Sequence, residues 1–274
     1  MTNDMPVFAD RLVRDHTVKY ARMPGAGGVT HLHARLILPP DCDAPHPLLI
    51  WFHSGGFRTG SIEHTAHGNI GTLFAQRGIA TAFVQYRLKT PREALSRQTQ
   101  SLFDDLQEDV DTYDFRLNPF FTGPAGLAPM EDGFVFFQWL GQHGAKYGLA
   151  NRLMLGGSSA GAITALNLLF LPRHLGITLP RISSAFVMSG AFAYPSFYEA
   201  VPTRILMQHS PQDTRVSITS IRHFSVMART HSSLLEHPLN VHGDLRLTRA
   251  ETREAAIDRL IRFDQGQDLS SPIK

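Results

Sequence analysis

A chain of 274 residues is long enough for one large domain, or for one domain with an insertion. Its 43% hydrophobic and 18% charged residues and its net charge of +2 are ordinary for a globular protein, and they give no reason to expect a nucleic-acid partner. No stretch of 18 apolar residues is present, so no membrane span is predicted. The single cysteine, Cys42, excludes an internal disulfide, and no signal peptide is evident at residues 1–6, so we expect a cytoplasmic protein.

Apolar runs of strand length alternate with longer amphipathic segments along the chain. Strands are predicted, in chain order, at residues 31–38, 48–52, 79–86, 152–156, 182–188 and 204–208. Helices are predicted at residues 66–77, 134–147 (capped by Asp132), 162–170, 216–230 and 250–263. Continuously apolar strands are typical of strands that are buried on both faces. The alternation therefore predicts an α/β fold with a mostly parallel central sheet and helices on both faces.

One segment, about residues 91–130, breaks this alternation. A connection of this length is uncommon in a compact domain unless it has a function. Loops carry substrate contacts in sheets of this kind, so we expect a single domain over residues 1–274 in which this segment is a small lid. A plain surface excursion is the alternative.

The sequence GSSAG at residues 157–161 lies between a predicted strand and a predicted helix. Read as G-x-S-x-G, it predicts a nucleophile elbow, a sharp turn that lifts a serine hydroxyl above the sheet. Only Ser159 has glycines two positions before and after it, so Ser159 is the expected nucleophile and Ser158 an ordinary residue of the turn. The backbone N–H of Ala160 would point to the site of an oxyanion. A Gly-Ser loop between a core strand and a core helix is the alternative.

A serine nucleophile needs a base and an acid that orients the base, and two later loops offer them. Asp213 follows a predicted strand, and His242 comes after it and before the last helix, which gives the order Ser, Asp, His. For Asp213 the alternative is a helix cap. For His242 the alternatives are His237 and His231, which lie in less strand-like surroundings, or an ordinary loop histidine.

Two further segments resemble a known family. The sequence HSGG at residues 53–56 is similar to the HGGG segment of esterases and lipases, with Ser54 in place of the first glycine. The sequence QYRL at residues 85–88 matches a strand end of the same group. Over roughly residues 35–265, the chain resembles serine esterases of the α/β-hydrolase fold, in the carboxylesterase and hormone-sensitive-lipase-like group.

The resemblance implies the α/β-hydrolase fold and a serine hydrolase that cleaves small-molecule carboxylic esters through an acyl-enzyme. Ser159, Asp213 and His242 would form the catalytic triad. The N–H groups of three residues would form the oxyanion hole, namely Gly55, Gly56 and Ala160. An arylformamidase or other amidase on the same fold is an alternative, and so is a ligand-binding homologue without catalysis.

The implied chemistry needs no cofactor and no metal ion. Histidine pairs at positions 31 and 33 and at positions 64 and 67 have a spacing that metal ligands can use, but no cysteine or acidic cluster accompanies them. We therefore expect these to be solvated surface histidines. The sequence leaves open whether the protein forms a homodimer.

Overall fold

The described part of the chain, residues 13–40, 45–63, 65–110, 117–267 and 269 of a computed structural model, is built around one eight-stranded sheet. Its strands are β1 (Arg14–Gly25), β2 (Gly28–Leu38), β3 (His46–Phe52), β4 (Ala80–Val84), β5 (Leu149–Ser158), β6 (Ile182–Met188), β7 (Arg204–His209) and β8 (Ser232–Glu236). Across the sheet the order is β1-β2-β4-β3-β5-β6-β7-β8. β2 pairs antiparallel with β1 and β4, and the other neighbours are parallel, which confirms the predicted mostly parallel sheet.

Helices lie on both faces of the sheet. They are α1 (Thr65–Ala75), α2 (Arg97–Val110), α3 (Pro124–His143), α4 (Ala160–Phe170), α5 (Ile218–Met227) and α6 (Arg253–Asp264). Strand β3 shows why both faces are buried, because Leu48, Ile50 and Phe52 join a cluster with α3 and α4, whereas Leu49 and Trp51 join a second cluster with α1 and α6. Within the described residues, no helix has the length and apolar character needed to cross a membrane.

The structure differs from the sequence-based expectation at the sheet edges and at one helix. The edge strands β1 and β8 were not predicted, since most of their residues are exposed or half-buried and lack a continuous apolar run. Helix α3 begins at Pro124, well before the predicted start at 134, and contains Pro129 in its interior. The expectation that Asp132 caps this helix is wrong, because Asp132 is a buried residue in the middle of α3.

The segment 91–130 contains regular structure. It includes a short 3-10 turn (Arg92–Ala94), all of α2 and the first residues of α3. Leu102 and Leu106 of α2 are buried in the main hydrophobic cluster, and Tyr194 Oη donates to the Thr122 carbonyl at 2.8 Å. The described parts of the segment, residues 91–110 and 117–130, are therefore packed on the rest of the chain.

A buried arginine fastens this segment to the sheet. Arg87, fully buried just after β4, donates through Nε to Asp132 Oδ1 at 2.8 Å and through Nη2 to Glu131 Oε2 at 2.6 Å. Its Nη1 also donates to the carbonyl oxygens of Ala94 at 2.8 Å and Pro24 at 3.0 Å. Burial raises the pKa of Asp132 to about 6, although the Arg87 guanidinium acts in the opposite direction. The guanidinium of Arg87 thus joins four elements, which are the ends of β1 and β4, the 3-10 turn and α3.

Replacing Arg87 by Met would leave the carboxyl groups of Glu131 and Asp132 buried without their cation. We expect the free energy of unfolding, measured by urea titration at neutral pH, to fall by about 3–5 kcal/mol, as when one partner of a buried ion pair is removed. Arg92→Met is the matched control, because it breaks the solvent-exposed pair Arg92–Asp104 and should change stability little. Equal losses from the two variants would contradict this account of Arg87.

Candidate active site

The turn between β5 and α4 holds Ser159 in a strained conformation. Its φ is 55° and its ψ is −119°, a region that residues with side chains rarely adopt, and its N–H donates to the Met188 carbonyl at 2.8 Å. The flanking glycines are needed because the chain approaches itself closely. A Cβ on Gly157 would lie 2.3 Å from the carbonyl carbon of Gly161, and a Cβ on Gly161 would lie 2.0 Å from the Phe52 oxygen. The elbow is therefore wedged against the end of β3.

The loop after β3 carries the expected oxyanion donors. Gly55 and Gly56 have φ values of 127° and 60°, and a Cβ on Gly55 would lie 1.9 Å from the Thr59 carbonyl oxygen, so the first position has no room for a side chain. The N–H groups of Gly55, Gly56 and Ala160 donate to no other residue that the structure describes. These unpaired donors come from the loop after β3 and from the first turn of α4.

Asp213 and His242 are in direct contact. His242 Nδ1 lies 2.6 Å from Asp213 Oδ2, while Asp213 Oδ1 accepts from the N–H groups of Arg215 at 2.9 Å and Val216 at 3.2 Å. Burial acts to raise the pKa of Asp213, but the hydrogen bonds from His242 and the two amides outweigh it and hold that pKa below its ordinary value. Asp213 does not cap α5, whose N-cap is Ser217.

The residue after His242 brings its loop to the elbow. The Gly243 carbonyl accepts from Ser158 Oγ at 3.4 Å, and the Gly243 N–H donates to Ser189 Oγ at 2.9 Å. Ser158 is therefore engaged with the histidine loop. His242 Nε2 is buried and has no hydrogen-bond partner among the described residues, so a bond from Ser159 Oγ is not formed in this structure.

The other two candidate bases do not bond Asp213. His237 is 2% exposed, neither of its ring nitrogens has a partner in the described chain, and its N–H donates to the His209 carbonyl at 3.1 Å. His231 is exposed and precedes β8, and its carbonyl accepts from Ile205 near the amino end of β7. Of the three histidines, only His242 forms a hydrogen bond with Asp213.

Sequence reasoning missed several polar residues around these groups. His209, the last residue of β7, donates from Nε2 to the Val216 carbonyl at 2.9 Å, and this nitrogen lies 3.6 Å from Asp213 Oδ2. The signal that could have found it is a polar residue that ends an apolar strand. The His53 ring stacks on Tyr86 at 4.0 Å, and Tyr86 Oη donates to the His53 carbonyl at 2.6 Å. The HSGG and QYRL segments therefore contact each other.

The described residues contain no group of three or more His, Cys, Asp or Glu side chains that could hold a metal ion. His31, which is exposed, and His33, which is half-buried, lie on β2. Cys42 and His64 lie outside the described residues.

Comparison by sequence finds no matching protein family and no matching curated protein. Comparison of structures finds many matching chains, several of which are esterases. A bacterial heroin esterase is 17% identical, with 95% of this chain and 87% of that chain covered and a TM-score of 0.64. An esterase from Pyrobaculum calidifontis is also 17% identical, with 93% and 85% covered and a TM-score of 0.62.

A thermophilic esterase from Thermogutta terrifontis with propionate bound is 14% identical, with 91% and 93% covered and a TM-score of 0.62. These likenesses extend over nearly the whole of each chain. Together with the strand order and the strand–turn–helix at Ser159, they show that this chain has the α/β-hydrolase fold.

Three buried histidines make the protein sensitive to acid. Burial lowers the pKa values of His53, His209 and His237. The unfolded chain binds these protons near the ordinary pKa of about 6.5, whereas the folded chain binds them only at lower pH. We therefore expect the unfolding free energy to be highest above about pH 6.5 and to fall as the pH drops through the lowered values.

His237→Phe replaces the imidazole by another aromatic ring, loses no side-chain hydrogen bond to a described residue and removes the titrating group. Urea titrations at a series of pH values from weakly acidic to weakly alkaline should give this variant a shallower dependence on pH than the wild type. An unchanged slope would contradict the assignment for His237.

Proposed function

We propose that this protein is a serine hydrolase that cleaves carboxylic esters through an acyl-enzyme on Ser159. The observation that carries the proposal is the hydrogen bond of 2.6 Å between His242 and Asp213, on a loop whose next residue contacts the elbow. The groups come from loops at the carboxyl ends of β3, β5, β7 and β8, where open sheets with parallel strands bind their ligands.

In the proposed first step, Ser159 Oγ attacks the ester carbonyl while His242 Nε2 accepts the hydroxyl proton. This nitrogen is buried and makes no hydrogen bond within the described chain, so no competing donor occupies it. Asp213 accepts from Nδ1, which fixes the tautomer that leaves Nε2 basic, and its carboxylate stabilises the imidazolium. The lowered pKa of Asp213 keeps that carboxylate charged at neutral pH.

The tetrahedral intermediate carries a negative charge on the former carbonyl oxygen. We propose that the N–H groups of Gly55, Gly56 and Ala160 stabilise it, since these donors have no partner among the described residues. Ala160 is also the first residue of α4, so the positive end of the helix dipole acts in the same direction.

Collapse of the intermediate expels the alcohol, which takes the proton from His242 Nε2 and leaves the acyl group on Ser159. Water then attacks the acyl-enzyme as His242 removes its proton, and the same N–H groups stabilise the second intermediate. Release of the carboxylic acid returns the proton to Ser159 Oγ. Each step uses groups that the chain itself supplies.

The ester preference is proposed from the structural neighbours, several of which are named esterases. Structures of the Thermogutta terrifontis enzyme contain propionate or butyrate, so we propose short acyl chains here. An arylformamidase on the same fold would use the same catalytic groups, so a comparison of substrates has to separate the two activities.

We infer further that the described part of the segment 91–130 forms, through Phe120 and Phe121, one wall of the substrate pocket within a single domain. A Cβ on Gly56 would lie 3.8 Å from Phe121, and the rings of Phe57 and Phe121 meet edge to face at 5.8 Å. The guanidinium of Arg58 lies 4.2 Å above the ring of Phe120. These contacts place Phe120 and Phe121 beside the proposed oxyanion donors.

Ser159→Ala removes the proposed nucleophile and little else. We expect kcat/KM for p-nitrophenyl butyrate to fall by at least about 10³-fold and covalent labelling by a fluorophosphonate to disappear, at a similar melting temperature. Ser233→Ala, which alters an exposed serine on β8, should leave both unchanged. Normal turnover by Ser159→Ala would refute the proposed mechanism.

The substrate class is tested by comparing p-nitrophenyl acetate, butyrate, octanoate and dodecanoate with an N-formyl aryl amide. We expect the highest kcat/KM for acetate or butyrate and a value roughly tenfold or more lower for the amide. The reverse order would identify an amidase. Failure to turn over any of these compounds, together with failure to react with the fluorophosphonate, would favour a ligand-binding protein.

A further inference from the structure

We infer that Ser158 and Ser189 are positioning residues that fix the place of His242 by holding Gly243 from two sides. The inference rests on the proposed function, since it assigns to His242 the role of base. It also gives Ser158 a task beyond that of an ordinary turn residue.

The two serines come from neighbouring strands of the sheet. Ser158 is the last residue of β5 and pairs with Met188, the last residue of β6, and Ser189 follows directly. Ser158 Oγ donates to the Gly243 carbonyl at 3.4 Å, and the Gly243 N–H donates to Ser189 Oγ at 2.9 Å. The peptide groups on both sides of Gly243 are thus bonded to the centre of the sheet.

The rest of this loop has few attachments. The backbone is fastened at His237, whose N–H donates to the His209 carbonyl, and at Leu245, whose carbonyl accepts from Gln208 Nε2 at 2.9 Å. Between these two points, Gly243 alone makes backbone hydrogen bonds to other described residues outside the loop. The hydrogen bonds of the two serines therefore hold the backbone next to His242.

The geometry at both ends of this contact is specific. Gly243 has a φ of 78°, and a Cβ there would lie 2.1 Å from Ser158 Oγ, so a side chain at this position would displace the hydroxyl. Ser189 has a φ of 50° and is 1% exposed, a left-handed conformation that is unfavourable for a residue with a side chain. Its N–H donates to the Gln208 carbonyl at 2.9 Å, which holds its hydroxyl beneath the loop. A strained, buried serine that bonds the neighbour of a proposed base points to function.

Without the two hydroxyls, the backbone between His237 and Leu245 would lose both of its hydrogen bonds to the rest of the described chain. His242 would then be held by its contact with Asp213, which leaves the imidazole able to move with the loop. A shift of about 1 Å in a catalytic group lowers the rate on the order of 10²-fold. The serines would thus affect kcat through His242 and leave substrate binding unchanged.

The test uses Ser158→Ala, Ser189→Gly and the double variant, assayed with p-nitrophenyl butyrate. Ser189→Gly removes the hydroxyl but suits the left-handed conformation, so we expect unchanged or higher thermal stability together with lower activity. Each single variant should lower kcat by roughly fivefold to tenfold, and the double variant by on the order of 10²-fold, with KM nearly unchanged. Ser158→Thr, which keeps a hydroxyl, should restore most of the rate.

Two comparisons separate positioning from general stability. Ser184, on β6, has a buried hydroxyl that donates to Asp264 at the end of α6, so Ser184→Ala should lower the melting temperature and leave kcat unchanged. In a His242→Ala background, Ser158→Ala and Ser189→Gly should not lower the residual rate further, because they act through the missing imidazole.

A double variant with the kcat of the wild type would overturn the inference, and so would an equal loss in the His242→Ala background. Neither result would touch the proposed function, which instead fails if Ser159→Ala retains turnover.

Discussion

The start of α4 lies so close to the end of β3 that a Cβ on Gly161 would stand 2.0 Å from the Phe52 carbonyl oxygen. The glycine lets the helix begin against the neighbouring strand, and Ser159 in the turn before it takes a strained conformation with a positive φ. The same approach places the first N–H groups of α4 next to the loop that contains Gly55 and Gly56. The proposed nucleophile and the proposed oxyanion donors are thus arranged by the packing of one helix on two parallel strands.

Asp213, His242 and the segment after β4 are held by polar contacts, most of them between segments that are distant in the sequence. Arg87 joins the ends of two strands, a 3-10 turn and α3, and so keeps the segment 91–130 against the domain. Asp213 is held by two backbone amides of its own turn, and His242 by Asp213 and by the serines around Gly243. The central strands provide a rigid frame, while a small number of hydrogen bonds determine where the loops lie on it.

The sequence carried enough information for the core of the sheet and for the elbow, because both depend on local patterns. Runs such as residues 48–52 must be buried on both faces, and G-x-S-x-G between a strand and a helix has few other uses. It did not carry the edge strands, which are half-exposed, or the early start of α3, since Pro129 in the interior argues against a helix. The sequence also favoured His242 over His237, but the hydrogen bond of His242 to Asp213 and that of Ser158 to Gly243 are contacts across the fold, which spacing along the chain does not reveal.

The close contacts at five glycines have a consequence for laboratory evolution of this protein. At these positions a Cβ would lie only 1.9–2.3 Å from a neighbouring atom: Gly55, Gly60, Gly157, Gly161 and Gly243. Most substitutions at these five positions in a random library would therefore give variants that do not fold correctly. Phe120 and Phe121, by contrast, are half-buried, and their rings contact Arg58 and Phe57 beside the loop of Gly55 and Gly56. Diversity is best concentrated at side chains such as these two, because they can be exchanged without a change at any of the five glycines.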